Sequence, residues 1–234
     1  MIVCLIVLTG CGEKKSAKVR VPPPPPPITE STDATTDEQQ TEEEIPAPAN
    51  VKPLMVEEGI ASWYGPPYHN RKASNGETYN MHAMTAAHRT LPLNSVVRVT
   101  NVKTNSTALV RITDRGPFIT GRIIDLSLAA AKKLDVWKAG LAQVRVEVLD
   151  TPKDIANGGR WCVQIGALPD EETALELQDK LARRYQSSKV LKFSGPMGDW
   201  WVRVRVPADD RGKAQEIARD NSTPSGDIFL VRLD

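Results

Sequence analysis

Six consecutive prolines, Pro22 through Pro27, limit what this chain can fold into more than any other stretch. Proline has no N–H to donate and its ring fixes φ, so neither a helix nor a sheet interior passes through such a run. The run reads as polyproline II, extended at about 3.1 Å per residue. On its C-terminal side every charged residue from Glu30 to Glu44 is acidic, and Pro46, Pro48 and Pro53 follow. Few large apolar side chains occur here, so burial cannot offset the entropy of ordering. Residues 11–56 therefore read as a tether, and the folded part is expected beyond it.

The tether is preceded by an apolar run that stops at Cys11-Gly12-Glu13. A membrane-spanning helix needs about 20 apolar residues. Residues 1–10 are too short for that and read as a signal-peptide core, the alternative being a short buried strand. Leu8-Thr9-Gly10-Cys11 resembles a lipobox, which implies lipid on the thiol of Cys11. Gly12 after the cysteine implies sorting to the outer membrane, facing the periplasm. A lipid followed by a stiff spacer places the folded part at a distance from the membrane.

Charge and cysteine usage exclude several classes. With 30 basic against 29 acidic residues the chain has no excess charge for nucleic acid. The three cysteines are Cys4, Cys11 and Cys162. Loss of Cys4 and acylation of Cys11 would leave Cys162 without an intramolecular partner, so the fold must rest on its cores. His69 and His82 have no ligand spacing, and neither a metal nor a cofactor is expected.

Residues 57–150 change character. Gly59–Tyr64, Val96–Thr100, Ala108–Thr113 and Val144–Leu149 are rich in β-branched residues and alternate. One helix is predicted over Leu126–Leu134, with Ser127 near its start. Many short strands with a single helix suggest a closed barrel. Residues 151–159 form a second linker.

The remainder, residues 160–234, repeats a strand–helix–strand order. Trp161–Gly166 is strand-like, and Glu171–Tyr185 is helical with Ala174, Leu177, Leu181 and Tyr185 on one face. A strand follows at Val190–Phe193, then Trp200–Val206, a helix over Asp209–Asp220 and a last strand at Ile228–Leu233. Two βαβ units of this size give a small sheet with both helices on one face. Alternation assigns Trp161, Val163, Ile165, Val202 and Val204 to that covered face. It leaves Gln164, Trp201, Arg203 and Arg205 on the other, predicted to be open and suited to a sugar chain. The bland alternative is a solvated face with one exposed tryptophan.

Several motifs occur in order: Gly59-Ile-Ala-Ser-Trp-Tyr-Gly65, Ala73-Ser-Asn-Gly-Glu77, Met84-Thr-Ala-Ala-His88, Thr90-Leu-Pro-Leu93, Thr113-Asp-Arg-Gly-Pro-Phe118 and Arg122-Ile-Ile-Asp-Leu-Ser127. In these the chain resembles the rare lipoprotein A family, whose domain is a six-stranded double-psi β-barrel. The tail, from Trp161-Cys-Val-Gln-Ile-Gly-Ala167 onward, resembles the sporulation-related repeat (SPOR) domain, a ferredoxin-like βαβ repeat. The two resemblances imply a mainly β domain followed by an α+β one, and an endolytic lytic transglycosylase acting on peptidoglycan. They also imply a tail that binds glycan strands stripped of stem peptides, enrichment at the division septum, and divisome proteins as partners. The rival reading is a non-catalytic wall-binding or wall-loosening lipoprotein.

The implied chemistry narrows the residues. Hydrolysis of a glycosidic bond normally uses two carboxyl groups. A lytic transglycosylase can use one, which protonates the leaving oxygen and then takes the proton of the sugar's own 6-hydroxyl. Asp114, ending an apolar strand before the Gly116-Pro117 turn, is the candidate for that group, and the resemblance implies His88 as its essential companion. His88 is expected as a neutral imidazole that bonds substrate or tunes Asp114. Glu77 would line the cleft; Tyr64 and Arg115 would contact sugar or support the barrel. Asp125 reads as a cap on the helix after it; a muramidase that uses water would take Glu77 or Asp125 as its second carboxylate.

Overall fold

The computed structural model describes residues 51–195, 198–221 and 226–234. The signal segment, Cys11 and the proline run lie outside the described residues.

Six strands close the first domain: β1 (Met55–Trp63), β2 (Thr85–His88), β3 (Val96–Asn101), β4 (Thr107–Asp114), β5 (Arg122–Leu126) and β6 (Ala142–Asp150). Their order around the barrel is β1-β5-β2-β4-β3-β6, with β6 returning to β1. The pairs β1/β5 and β2/β4 are parallel and the rest antiparallel. Closure leaves no strand edge unpaired, and inward residues fill the interior. Alternation is clean in β3, where Val97 and Val99 are buried, and in β6, where Val144, Val146 and Val148 are.

Two strands carry no alternation in sequence. β2 is buried at all four positions and is paired along both edges, with β4 and β5. β5 includes Leu126, which pairs with Trp63 and Ala86, so the predicted helix starts later, as α1 (Leu128–Lys133). Its cap is Ser127, whose hydroxyl accepts from Ala130 N at 3.1 Å and donates to Ala83 O at 2.7 Å. Asp125 is therefore a strand residue and not the cap.

The second domain runs β7 (Trp161–Leu168), α2 (Glu171–Arg184), β8 (Lys189–Ser194), β9 (Trp200–Arg205), α3 (Arg211–Asp220) and β10 (Asp227–Arg232). Both helices start on an aspartate cap, Asp170 to Thr173 N and Asp210 to Lys213 N. The sheet order is β10-β7-β9-β8 with every neighbouring pair antiparallel. Each strand–helix–strand unit is thus split by a strand of the other, the ferredoxin-like arrangement. Trp161, Val163, Ile165, Val202 and Val204 pack against Ala174, Leu181, Ala214 and Ile217 on the helix side.

The opposite face is not open. Trp201 and Gln164 are buried there, at 6% and 2% exposure. Phe118, from the turn after β4, sits 5.5 Å from the Trp201 ring and 5.7 Å from that of Phe229. The guanidinium of Arg89 lies over Phe229 at 5.5 Å. Backbone bonds run from Arg232 N to Arg89 O at 2.9 Å and from Leu93 N to Asp234 O at 3.2 Å. The barrel covers this face because a sheet surface bearing Trp201, Phe229 and Val231 gains more by burial than by hydration.

Candidate active site

The loop between β1 and β2 builds one side of a cleft. Its excursion closes on itself: Tyr79 N donates to Arg71 O at 2.8 Å and Asn70 N to Tyr79 O at 2.9 Å. The tip turns at Gly76, whose φ of +92° suits a residue without Cβ. Asn75 N then donates to Thr113 O at 3.1 Å and pins the tip over the end of β4. This brings Ser74 onto Asp114.

Asp114 Oδ1 accepts three donors: Ser74 N at 3.0 Å, Ser74 Oγ at 2.5 Å and Arg115 N at 2.8 Å. The carboxylate is thereby fixed in rotation, with Oδ2 left for a ligand. It opens on a cavity of about 440 Å³. The barrel lines this cavity with Tyr68, Arg71, Lys72 and Tyr79 beside Asp114, and the segment after β8 contributes Ser194 and Gly195. Tyr64 stacks on Tyr79 with ring centroids 4.3 Å apart, and Tyr68 meets Tyr64 edge-on at 5.7 Å. Burial pushes the Tyr64 and Tyr79 hydroxyls up, and Tyr68 too, where Asp125 and Asp199 add to the effect. All three are neutral donors at ordinary pH.

The other sequence candidates are placed differently. His88 is 3% exposed and is not among the residues that line the cleft. Its Nδ1 accepts from Thr90 N at 3.2 Å and Leu91 N at 3.1 Å, and its Nε2 lies 3.1 Å from Glu57 Oε2 on β1. Two backbone donors on Nδ1 put the proton on Nε2. Burial lowers the His88 pKa from its ordinary 6.5, against the pull of Glu57. His88 therefore positions the segment after β2 and is no contact of the cleft.

The Arg115 guanidinium is committed to main-chain oxygens. Its Nη1 donates to His88 O at 3.0 Å and Leu91 O at 2.7 Å, and its Nη2 to Asp234 O at 2.7 Å. Burial brings its pKa down to about 10. Glu77 forms a two-pronged pair with Arg111, at 2.9 and 2.8 Å, which holds its carboxylate below the ordinary range. Asp125 is half-buried beside Gly116 of the turn after β4, bonded by Ser62 Oγ, with Arg122 at 3.7 Å. Burial raises its pKa.

In the second domain Arg203 Nη2 bonds Gln164 Oε1 at 2.7 Å and lies over Phe193 at 4.9 Å. Gln164 and Trp201 are thus spoken for internally, while Arg203 and Arg205 remain half-buried. Trp201 also donates through Nε1 to Asp199 Oδ2 at 2.5 Å. Sequence reasoning missed Ser74, Glu57, Arg71 and Lys72. Only Ser74 carried a signal, its place in the Ala73–Glu77 motif.

A closed barrel with crossed parallel pairs, a cleft built round one fixed carboxylate, and a ferredoxin-like partner domain define a two-domain protein of the double-psi barrel class. The chain combines a lytic transglycolase domain with a SPOR domain. Residues 56–146 match the family described as lytic transglycolase and residues 157–220 match the SPOR domain. Among curated relatives, the endolytic peptidoglycan transglycosylase RlpA of Helicobacter pylori (strain J99) is 44% identical over 153 residues, covering 53% of this chain and 48% of that protein. The RlpA of Campylobacter jejuni is 43% identical over 157 residues, covering 56% and 57%, and that of Vibrio cholerae 40% over 160, covering 62% and 61%. The chain spans about half to three-fifths of the length of these relatives.

Proposed function

We propose that this chain cleaves peptidoglycan glycan strands lacking stem peptides by intramolecular transglycosylation, leaving 1,6-anhydro-muramic ends. The observation that carries the reading is the cleft itself, where Asp114 is the one carboxylate among the described lining residues. Its relatives are named as endolytic peptidoglycan transglycosylases, and a single oriented carboxyl group is what that chemistry requires.

In the reaction Asp114 Oδ2–H gives its proton to the oxygen joining muramic C1 to the next sugar, and the C1–O bond breaks. The 6-hydroxyl of the same muramic ring attacks C1, and its proton passes to Asp114. The carboxyl group ends as it began, and no water enters. Ser74 and the Arg115 N–H hold Oδ1, so the proton moves on and off one oxygen. Tyr68 offers a ring and a neutral hydroxyl to the sugar, while Tyr79, whose hydroxyl donates to Tyr64 O at 2.8 Å, supports the cleft wall from within. Glu77, committed to Arg111, and Asp125, half-buried and bonded to Ser62 and Arg122, are poorly placed as the base of a water-using muramidase.

The lipobox-like Leu8–Cys11 and the proline spacer support a lipid anchor on Cys11 in the outer membrane, with the folded part reaching the wall. Labelled palmitate taken up by the parent and lost in Cys11→Ser is the outcome this anchor requires. The SPOR resemblance supports placement at the septum, beside division proteins.

The catalytic reading is tested by incubating the chain with sacculi before and after amidase treatment and identifying products by mass spectrometry. Anhydro ends should appear from treated sacculi and fall by at least about a hundredfold in Asp114→Asn. Reducing ends would instead mean hydrolysis, and firm binding without products would mean a wall-binding or wall-loosening protein.

A further inference from the structure

The same cavity holds two cations that the reaction above does not use. Arg71 and Lys72 are exposed on its rim, beside Asp114 and between Tyr68 and Tyr79. Among the described residues neither forms an ion pair. Asp114, which lines the same cavity, forms no ion pair with either cation; its Oδ1 is held by Ser74 and Arg115 N. Their backbone is fixed as well, by the Arg71–Tyr79 bond and the Lys72–Thr78 bridge. Two adjacent, rigidly based cations therefore line a sugar-sized space whose one carboxylate, Asp114, pairs with neither.

A glycan strand supplies such an anion only in one state. In intact wall the lactyl carboxyl of muramic acid is an amide to the stem peptide and carries no charge. Once the peptide is cut away, the lactyl group is a free carboxylate. It hangs from O3 of the ring whose C1 is attacked, so the anion and the broken bond belong to one pyranose.

We infer that Arg71 and Lys72 bind the free lactyl carboxylate of the muramic acid in the cleft, so that preference for peptide-free strands is set within the barrel. This inference rests on the proposed glycan substrate. The cations reward the stripped strand with charge-assisted hydrogen bonds, and the amide-linked strand has no charge at the lactyl position while adding bulk at the rim. The second domain shapes the same recess, because Ser194 and Gly195 close its far side. A strand entering the cleft is thus read by the barrel for charge and bounded by the partner domain.

The test uses Asp114→Asn protein, so that ligand is not consumed, and short alternating oligosaccharides of three kinds. One has free lactyl carboxylates, one has them capped as methylamides, and one is chitin of equal length. The free acid should bind about tenfold more tightly than the capped form or chitin, with the advantage shrinking as salt is added. Adding Arg71→Gln and Lys72→Gln should bring the free acid down to the capped level and leave the capped form unchanged. Arg71→Lys with Lys72→Arg should restore much of the difference. Equal binding of free and capped ligands, or a preference that survives loss of both cations, would overturn the inference. A preference that behaves as expected, in a chain whose Asp114-bearing parent yields no anhydro ends, would sink the catalytic proposal and leave this one standing.

Discussion

At His88 the chemistry is decided by neighbours that come from far along the chain. Nδ1 is occupied by Thr90 N and Leu91 N, and the Nε2 proton goes to Glu57. His88 sits below its ordinary 6.5 because burial opposes the imidazolium, and Glu57 below its ordinary 4.5 because of the bond from His88. For both groups the unfolded chain binds protons first as pH falls, so stability rises with pH across each window and is lost on acidification. Melting temperature should therefore drop between pH 7.5 and 5.5, and His88→Gln should flatten that slope while costing about 1–3 kcal/mol at pH 7.5. An equally steep slope in the variant would place the titrating group elsewhere. Asp125 has the opposite sign. Its carboxyl is raised by burial, so its ionisation costs stability as pH rises through the folded value. Asp125→Asn should melt higher than the parent at pH 7.5, and the gap should close toward the ordinary 3.8; a lower melting point at pH 7.5 would show that the pair with Arg122 outweighs desolvation. Asp114 could be picked out from sequence because a strand end and a Gly-Pro turn project a side chain wherever they occur. The surroundings of His88 could not, since Glu57 lies on another strand.

Strand β9 shows what alternation reveals and what it conceals. Its sequence sorts Val202 and Val204 to one face and Trp201 and Arg203 to the other, and that sorting holds in the sheet. Which face meets solvent is a separate question, because the cover is Phe118 from the first domain. Strand β7 makes room for the indole: at Gly166 an added Cβ would lie 2.3 Å from the Trp201 ring. β2 was hidden for a related reason, since a strand covered on both faces shows no period. Trp201→Ala should accordingly cost about 3–5 kcal/mol of stability, because it empties a packed junction. Trp201→Phe, which keeps a ring and loses the bond to Asp199, should cost nearer 1 kcal/mol. Chemical denaturation distinguishes these values from the near-zero change expected of a surface tryptophan.

For the whole molecule the question is whether two domains with separate cores behave as one. The barrel core and the helix-side core share no residue, and a third apolar cluster of Cys162, Trp201, Phe229 and Val231 packs with Phe118 between them. Asp234, just past β10, reinforces that junction through its main-chain oxygen, which accepts from Leu93 N of the barrel at 3.2 Å, while its carboxylate is held from the second domain's side. Asp234 receives Lys153 Nζ at 2.7 Å, Arg160 N at 2.8 Å and Arg232 Nε at 3.0 Å. Burial works against its carboxylate, yet these donors outweigh it and hold the group well below the usual carboxylate range. Arg115 adds the bond to Asp234 O from directly beside the cleft carboxylate. Opening the junction would strip water-excluding cover from Trp201 and leave the bonds of Asp234 to solvent, so the domains should lose structure together. Calorimetry should show one transition for the parent chain. Phe118→Asp forces a carboxylate against Trp201 and Phe229, where it has no partner and costs several kcal/mol. That variant should separate into two transitions, with Trp201 emission shifted to the red and open to quencher before either core melts. A single transition in Phe118→Asp, with Trp201 still shielded, would mean that the bonds at Asp234 and Arg89 suffice without the aromatic seal. It would also mean that the wall formed by Ser194 and Gly195 stays on the cleft whatever happens at Phe118.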